Sequence, residues 1–366
     1  MSNVNVSLRP FNLKLKYPFG ISRGSITSAK NILVTLSFDD FVAYGESAPS
    51  VYYGEDQKSV MDFIQAFTKR RKLEDYITNI HMLKQELSDF SNILTTTNSS
   101  SSARAALEMA FWDLIGKINN KPVYDFIFQD DPFMQNGKNN SLPETSYTIG
   151  ADTLLVMKEK TLNALKLGFK ILKIKLGLGL ENDLNVLKML KEISKENSTS
   201  CTLRVDANGG WDFETTKKMI DILPDYNVQI LEQPLPRGQV HMLSSITSAS
   251  SIPIFVDEDC LSLHDVEKVA GKVSGINIKL MKCGSIIDAV SMINLAKSYN
   301  LKVMLGCMIE SSCAISAAAH LSPLADYIDL DGHLLLEHDP FCGLILEDNE
   351  IIPSFSSGLG VELSCA

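Results

Sequence analysis

Successive β-rich runs of this chain carry charged residues at or near their ends, and they recur at nearly constant intervals. The runs are Ile171-Leu-Lys173-Ile-Lys175-Leu-Gly177, Arg204-Val-Asp206, Ile230-Leu-Glu232, Phe255-Val-Asp257 and Asn277-Ile-Lys279. The acids and the last lysine stand at positions 206, 232, 257 and 279, so the intervals are 26, 25 and 22 residues. Each is the length of one strand, one helix and two short loops. Side chains alternate along a strand, so Lys173 and Lys175 share one face while Leu172, Ile174 and Leu176 share the other. Consecutive strands of a parallel barrel would therefore present Lys, Asp, Glu, Asp and Lys around one mouth. A single carboxylate after a strand is usually a helix cap. Three in sequence, flanked by lysines at both ends, are not explained as caps.

The surrounding pattern extends this unit. Strand-like runs occur at 146–150, 171–176, 202–206, 228–232, 254–257, 276–280, 302–306 and 327–330, with helical stretches at 152–167, 182–196, 214–222, 239–248, 263–271, 285–299 and 311–321. Eight strands alternating with seven helices predict a parallel barrel. No Gly-x-Gly-x-x-Gly follows the first strand, which disfavours an open dinucleotide-binding sheet. Residues before about 120 read differently. A meander is expected at 4–16, 31–38 and 41–45, then helices within 56–90 and from Ala103 to Gly116 after the Ser/Thr/Asn run at 95–102. Tyr17 to Ser28 and Glu46 to Glu55 are expected to be loops, the first one mobile. Residues 130–145 read as a polar linker, and the tail from Leu344 is expected to fold back on the N-terminal part. The expected division is 1–120 completed by 344–366, and 121–343 for the barrel.

Composition limits the partners. The formal net charge is −10 and no basic cluster occurs, which excludes a nucleic-acid partner. No run of 18 apolar residues and no leader pattern is present, so no membrane partner and a cytoplasmic location are expected. The seven cysteines, Cys201, Cys260, Cys283, Cys307, Cys313, Cys342 and Cys365, show no Cys-x-x-Cys spacing and read as buried free thiols. A homo-oligomer is expected.

Asp206, Glu232 and Asp257 make an all-oxygen set that suits Mg²⁺, or Mn²⁺, over Zn²⁺. Crowded lysines disfavour each other's protonation, so one is expected to be partly neutral near pH 7 and act as a base. A lysine on either side of a metal-held carboxylate can remove a proton from one face of the α-carbon and return it on the other. An enediolate stabilised by the metal lies between the two steps. The outcome is racemisation or epimerisation.

The same residues carry a family resemblance. Lys173-Ile-Lys175, Val205-Asp206-Ala-Asn-Gly-Gly-Trp211, Leu231-Glu232-Gln-Pro234, Val256-Asp257-Glu258, Asn277-Ile-Lys279 and the helix Ala103-Arg-Ala-Ala-Leu-Glu-Met-Ala-Phe-Trp-Asp113 resemble the muconate-lactonising subgroup of the enolase superfamily over essentially the whole chain. The resemblance implies a modified (β/α)7β TIM barrel under an α+β N-terminal capping domain. It implies one Mg²⁺ per subunit on Asp206, Glu232 and Asp257, with Lys175 and Lys279 as the acid/base pair. Lys173 would be their electrostatic neighbour and Asn208 would stand behind the metal ligands. Tyr327-Ile-Asp329-Leu-Asp331-Gly332 is similar to the Asp-x-Asp of dipeptide epimerases, which holds the substrate's α-ammonium group. The implied activity is inversion of the second residue of a dipeptide of the L-Ala-L-Glu type. Arg23 resembles the loop arginine that pairs with a substrate glutamate, and Thr148 is expected to touch substrate. An o-succinylbenzoate synthase or muconate cycloisomerase on the same scaffold is the alternative. A Schiff-base aldolase using Lys175 has no use for three metal carboxylates, and a binding protein has no use for the flanking lysines. Glu310 reads as a helix N-terminal charge, and His333 as a residue without a site role.

Overall fold

The computed structural model describes residues 3–69, 71–94, 100–128, 142–197 and 201–364. Cys365, residues 95–99 of the Ser/Thr/Asn run and residues 129–141, which include most of the expected linker, lie outside the described residues.

The chain opens with an antiparallel meander of β1 (Asn5–Ile21), β2 (Gly24–Phe38) and β3 (Phe41–Ser47). Helices α1 (Gln57–Thr68), α2 (Asp75–Thr78), α3 (Ile80–Leu94), α4 (Ser101–Asn119) and α5 (Val123–Ile127) follow. A capping box between Asp56 and Ser59 starts α1. Fifteen of the first sixteen residues of α4 are buried, the acids Glu108 and Asp113 among them, so this helix is covered on every side. It can press against β3 because Gly45 lacks a side chain. A Cβ there would lie 2.0 Å from the Ala106 carbonyl oxygen.

The expected loop at Tyr17 to Ser28 is a correction. These residues continue β1 and β2 as a hairpin whose turn is Ser22-Arg23, after a register shift between Lys14 and Phe19. The tip is fastened to the barrel. Gly20 accepts a hydrogen bond from the Ala151 N–H (2.8 Å), and a Cβ on Gly20 would meet the Ala151 carbonyl oxygen at 2.1 Å. Gly20, which read as flexibility, is there for close approach, whereas Gly24 (φ 138°) serves a backbone conformation that side chains disfavour.

The second part is the expected eight-stranded parallel sheet: β4 (Tyr147–Ile149), β5 (Ile171–Lys175), β6 (Thr202–Asp206), β7 (Val228–Glu232), β8 (Ile254–Val256), β9 (Gly275–Ile278), β10 (Lys302–Gly306) and β11 (Tyr327–Asp329). They pair in chain order, and a parallel bridge between Thr145 and Ile328 joins the last strand to the approach of the first. A helix fills each of the seven crossovers, the sixth being broken at Gly284 (φ 84°) into Leu280–Cys283 and Ile286–Ser298. The architecture is a TIM-type barrel under an α+β cap. Ile230, Phe255 and Met304 form a small apolar layer inside it, with Tyr327 packed against them. The lysines and acids lie above this layer, toward the strands' C-terminal ends.

The tail forms β13 (Ile345–Glu347) with β14 (Glu350–Ile352), and β12 (Phe341–Cys342) with β15 (Glu362–Leu363). It packs where cap meets barrel: the Leu359 N–H donates to Asp113 of α4, and the Leu359 carbonyl accepts from Ser316. Of the described cysteines, Cys201, Cys260, Cys283 and Cys313 are buried and Cys307 is partly so, whereas Cys342 is exposed, against expectation. Among the described residues no helix is long and apolar enough to cross a membrane.

Candidate active site

Strand register builds the site. Lys175 pairs with Asp206, and Asp206 with Glu232, at the ends of β5, β6 and β7. Asp257 follows β8 and Lys279 follows β9. Lys175 and Lys279 are thus carried by strands four steps apart in a barrel of eight, on opposite walls. All five side chains are buried, as is Lys173 one layer below.

The lysines and acids interlock. Lys175 donates to Asp206 (2.6 Å) and Lys279 to Asp257 (2.9 Å). Lys173 reaches Asp329 (2.7 Å), Glu232 (2.8 Å) and Asp206 (3.3 Å). Burial alone would lower the pKa of Lys173, but Asp329, Glu232 and Asp206 outweigh it and hold the ammonium well above its ordinary value. Lys279 is raised in the same way by Asp257 against its own burial. The expected neutral lysine is therefore a correction for these two, because each lysine has more acid than lysine around it. Burial opposes ionisation of Asp257, yet Lys279 and Lys282 keep its pKa below the usual carboxylate range.

The acids outnumber their cations. Glu232 is pushed up to about 7 by burial and by Asp206, and Asp331 to about 7 by burial and by Asp329. Glu310, buried near Glu46, is pushed up to about 8 by burial first. Glu232 Oε2, Glu258 Oε2 and Asn208 Oδ1 are buried oxygens that accept no hydrogen bond; Glu232 Oε2 has only the ionic approach of Lys173. Among the described residues no three His, Cys, Asp or Glu side chains form a ready metal cluster, since lysines stand between the carboxylates. The donor chemistry nonetheless fits a hard divalent cation, being all oxygen, buried, short of positive charge and partly unsatisfied.

The remaining expected residues fall as follows. Asp329 accepts from Lys173 and from the Ser146 hydroxyl (2.5 Å). Asp331 accepts from the N–H (2.5 Å) and hydroxyl (3.1 Å) of Thr148, so Thr148 is committed to this acid. Asn208, in the left-handed region at φ 44°, donates its N–H to Asp206 (2.8 Å). Arg23 donates to Glu258 (2.8 Å) and to the Asn208 carbonyl (2.7 Å), and its guanidinium lies 4.2 Å from the Tyr52 ring centroid. His333 is half-buried in the turn Gly332–Leu335 that follows β11.

Three residues were missed. Lys282 is buried and donates to Asp257, Glu258 meets Arg23, and the Asn277 amide donates to Glu232 (2.8 Å). Lys282 lies on the short helix Leu280–Cys283, whose N-cap is Lys279. Glu258 escaped because strand alternation stops at Val256.

The comparisons agree with this geometry. Residues 3–127 match the mandelate racemase / muconate lactonizing enzyme N-terminal domain, and residues 156–366 match the enolase C-terminal domain-like family. An L-Ala-D/L-Glu epimerase from Bacteroides thetaiotaomicron is 34% identical over 358 residues, covering 96% of this chain and 86% of the relative. A hydrophobic dipeptide epimerase from Roseobacter litoralis is 34% identical over 360 residues, 97% of each chain. A dipeptide epimerase from Enterococcus faecalis, solved with Mg and the dipeptide L-Leu-L-Tyr, superposes with a TM-score of 0.86 at 31% identity, covering 99% of each chain. The chain belongs to the mandelate racemase / muconate lactonizing enzyme family of the enolase superfamily.

Proposed function

We propose that this chain is a Mg²⁺-dependent dipeptide epimerase that inverts the α-carbon of the second residue by two-base proton transfer. The observation that carries the reading is the placement of Lys175 and Lys279 on opposite walls with three carboxylates between them. Relatives 34% identical carry dipeptide-epimerase names, and the Enterococcus faecalis structure holds Mg and a dipeptide. Asp206, Glu232 and Asp257 would hold the metal. Mg²⁺ held there would supply positive charge to the substrate carboxylate.

One lysine takes the α-proton and the opposite one delivers a proton to the other face, with a planar enediolate between the steps. Lys173, held by Asp329, stays charged beside the developing negative charge. Asp331 takes part in no ion pair of the described site and would receive the substrate's α-ammonium. That carboxyl fits the dianionic substrates of an o-succinylbenzoate synthase or a muconate cycloisomerase poorly. The division into a cap of 1–120 completed by 344–366, over a barrel of 121–343, is supported by the Leu359 contact to Asp113.

The test is a dipeptide library incubated in D₂O with Mg²⁺ and read by mass for α-deuterium and by chiral analysis. Active dipeptides should lose turnover with chelator, and Lys175→Ala and Lys279→Ala should each lower epimerisation by about 10²–10⁴-fold. Full turnover in chelator, or wild-type turnover in either variant, would refute the reading.

A further inference from the structure

The three metal-site carboxylates share a pattern that the reaction itself does not require. Each has one oxygen tied to a protein donor that is not one of the strand-five or strand-nine lysines. Asp206 Oδ1 accepts the Asn208 N–H at 2.8 Å. Glu232 Oε1 accepts the Asn277 side-chain amide at 2.8 Å. Asp257 Oδ1 accepts the Lys282 ammonium at 2.5 Å. The second oxygens face the lysines of the mouth: Asp206 Oδ2 meets Lys175 and Lys173, with the Asn208 side-chain amide at 3.3 Å, Glu232 Oε2 meets Lys173, and Asp257 Oδ2 meets Lys279.

Lys282 is the strongest of the three ties. Its ammonium also lies 2.6 Å from the Asp257 carbonyl oxygen, 2.8 Å from that of Asn277 and 3.1 Å from that of Cys260. It therefore cannot follow Asp257 without breaking the junction between the ends of β8 and β9. A buried ammonium next to a cation site costs cation affinity, so its presence needs a compensating role.

We propose that Lys282, with Asn277 and the Asn208 N–H, restricts each carboxylate to one metal-facing oxygen and thereby selects Mg²⁺ or Mn²⁺ against Ca²⁺. Small divalent ions take six ligands in tight octahedral geometry, whereas Ca²⁺ takes six to eight oxygens and often uses both oxygens of a carboxylate. A site in which one oxygen of each carboxylate is tied off cannot raise its ligand count for Ca²⁺. Lys282 and Asn277 act through Asp257 and Glu232 and are positioning residues.

The inference rests on the proposed metal site, and its test is cation binding without turnover. Mn²⁺ and Ca²⁺ are titrated by calorimetry into the substrate-free full-length protein, its Lys282→Met variant and its Asn277→Ala variant, with folding checked by circular dichroism. The wild type should bind Mn²⁺ more tightly than Ca²⁺, and Lys282→Met should shift the Ca²⁺:Mn²⁺ affinity ratio toward Ca²⁺ by about tenfold. Asn277→Ala should shift it in the same direction, and it decides the question if Lys282→Met does not fold. The ratio cancels the loss of the lysine's charge, which acts on both cations alike, and a purely structural role would weaken both alike. An unchanged ratio in the folded variants, or equal binding of the two cations by wild type, overturns the inference and leaves the proposed reaction standing. A wild type that binds neither cation overturns both.

Discussion

Asp331 shows how one residue can carry substrate class. It accepts hydrogen bonds from the Thr148 N–H and hydroxyl, and burial with the charge of Asp329 pushes its carboxyl up to about 7. An ammonium brought beside it would restore ionisation and gain a charge-assisted hydrogen bond, on the order of 1.5–3 kcal/mol in a desolvated site. Asp331→Asn should therefore lower kcat/KM for free dipeptides by roughly 10–100-fold and leave N-acylated dipeptides nearly unchanged. Steady-state kinetics on matched pairs measures this, and equal losses for both types would contradict the role. Asp329 sits two residues away, and its carboxylate is already engaged by Lys173 and Ser146. Alternation in the sequence places both acids at the mouth but cannot tell which is already paired, since the pairing partner lies 156 residues away. Lys282 was hidden for a similar reason, because only folding reveals that it meets Asp257.

At the scale of elements, the barrel strands were legible because charge on one face of otherwise apolar runs breaks the usual rule that buried strands are uniformly apolar. All eight appear within about two residues of expectation. The hairpin at 17–28 was not legible, since Gly20 serves contacts with Ala151 that no local pattern announces. Nor were the helix ends that the cap's buried acids secure. Glu46 accepts from the Ser311 N–H at the start of the helix Ser312–Ala319, and Glu108 accepts from the Ile286 and Ile287 N–H groups at the start of Ile286–Ser298. The far end of Ser312–Ala319 makes a testable case. His320 follows it, fully buried, with Nε2 3.4 Å from the Leu359 carbonyl oxygen and Nδ1 without a partner. Burial lowers its pKa from 6.5 to about 4. An unfolded imidazole gains a proton below about 6.5, the folded one only below about 4, so its contribution is intact above 6.5 and is lost as pH falls across that window. The loss is on the order of 2–3 kcal/mol. Urea unfolding at pH 7 and pH 4.5 should show wild type losing about 2 kcal/mol more than His320→Gln. The comparison with the variant removes the share of the carboxyls that titrate in the same range. An unchanged difference between the two proteins at both pH values would show that His320 titrates normally.

At the scale of the molecule, cap and barrel are joined by buried polar contacts. Glu46 and Glu108 reach barrel helices, and Asp113 accepts from Leu359 of the tail. A cap so anchored leaves the hairpin tip at Ser22-Arg23 as the part that completes the mouth. There Arg23 bridges β6 and β8, with one nitrogen on the Asn208 carbonyl and the other on Glu258, while Ser22 donates to the same carbonyl at 3.0 Å. Burial would lower the pKa of Arg23, but Glu258 outweighs it and the net shift is upward. Its fork is thus occupied by protein, and a substrate glutamate would have to displace Glu258 to be read by it. The side chain remains about one-third exposed, so the ion pair is screened and modest. Arg23→Met should therefore loosen the tip for every substrate, lowering kcat/KM for L-Ala-L-Glu and L-Ala-L-Leu by a similar factor of about five to ten. Glu258→Gln should reproduce that shared loss, because it removes the same bridge from the barrel side. If Arg23→Met instead lowers only the L-Ala-L-Glu rate, the arginine leaves Glu258 when substrate arrives and reads the acidic side chain directly.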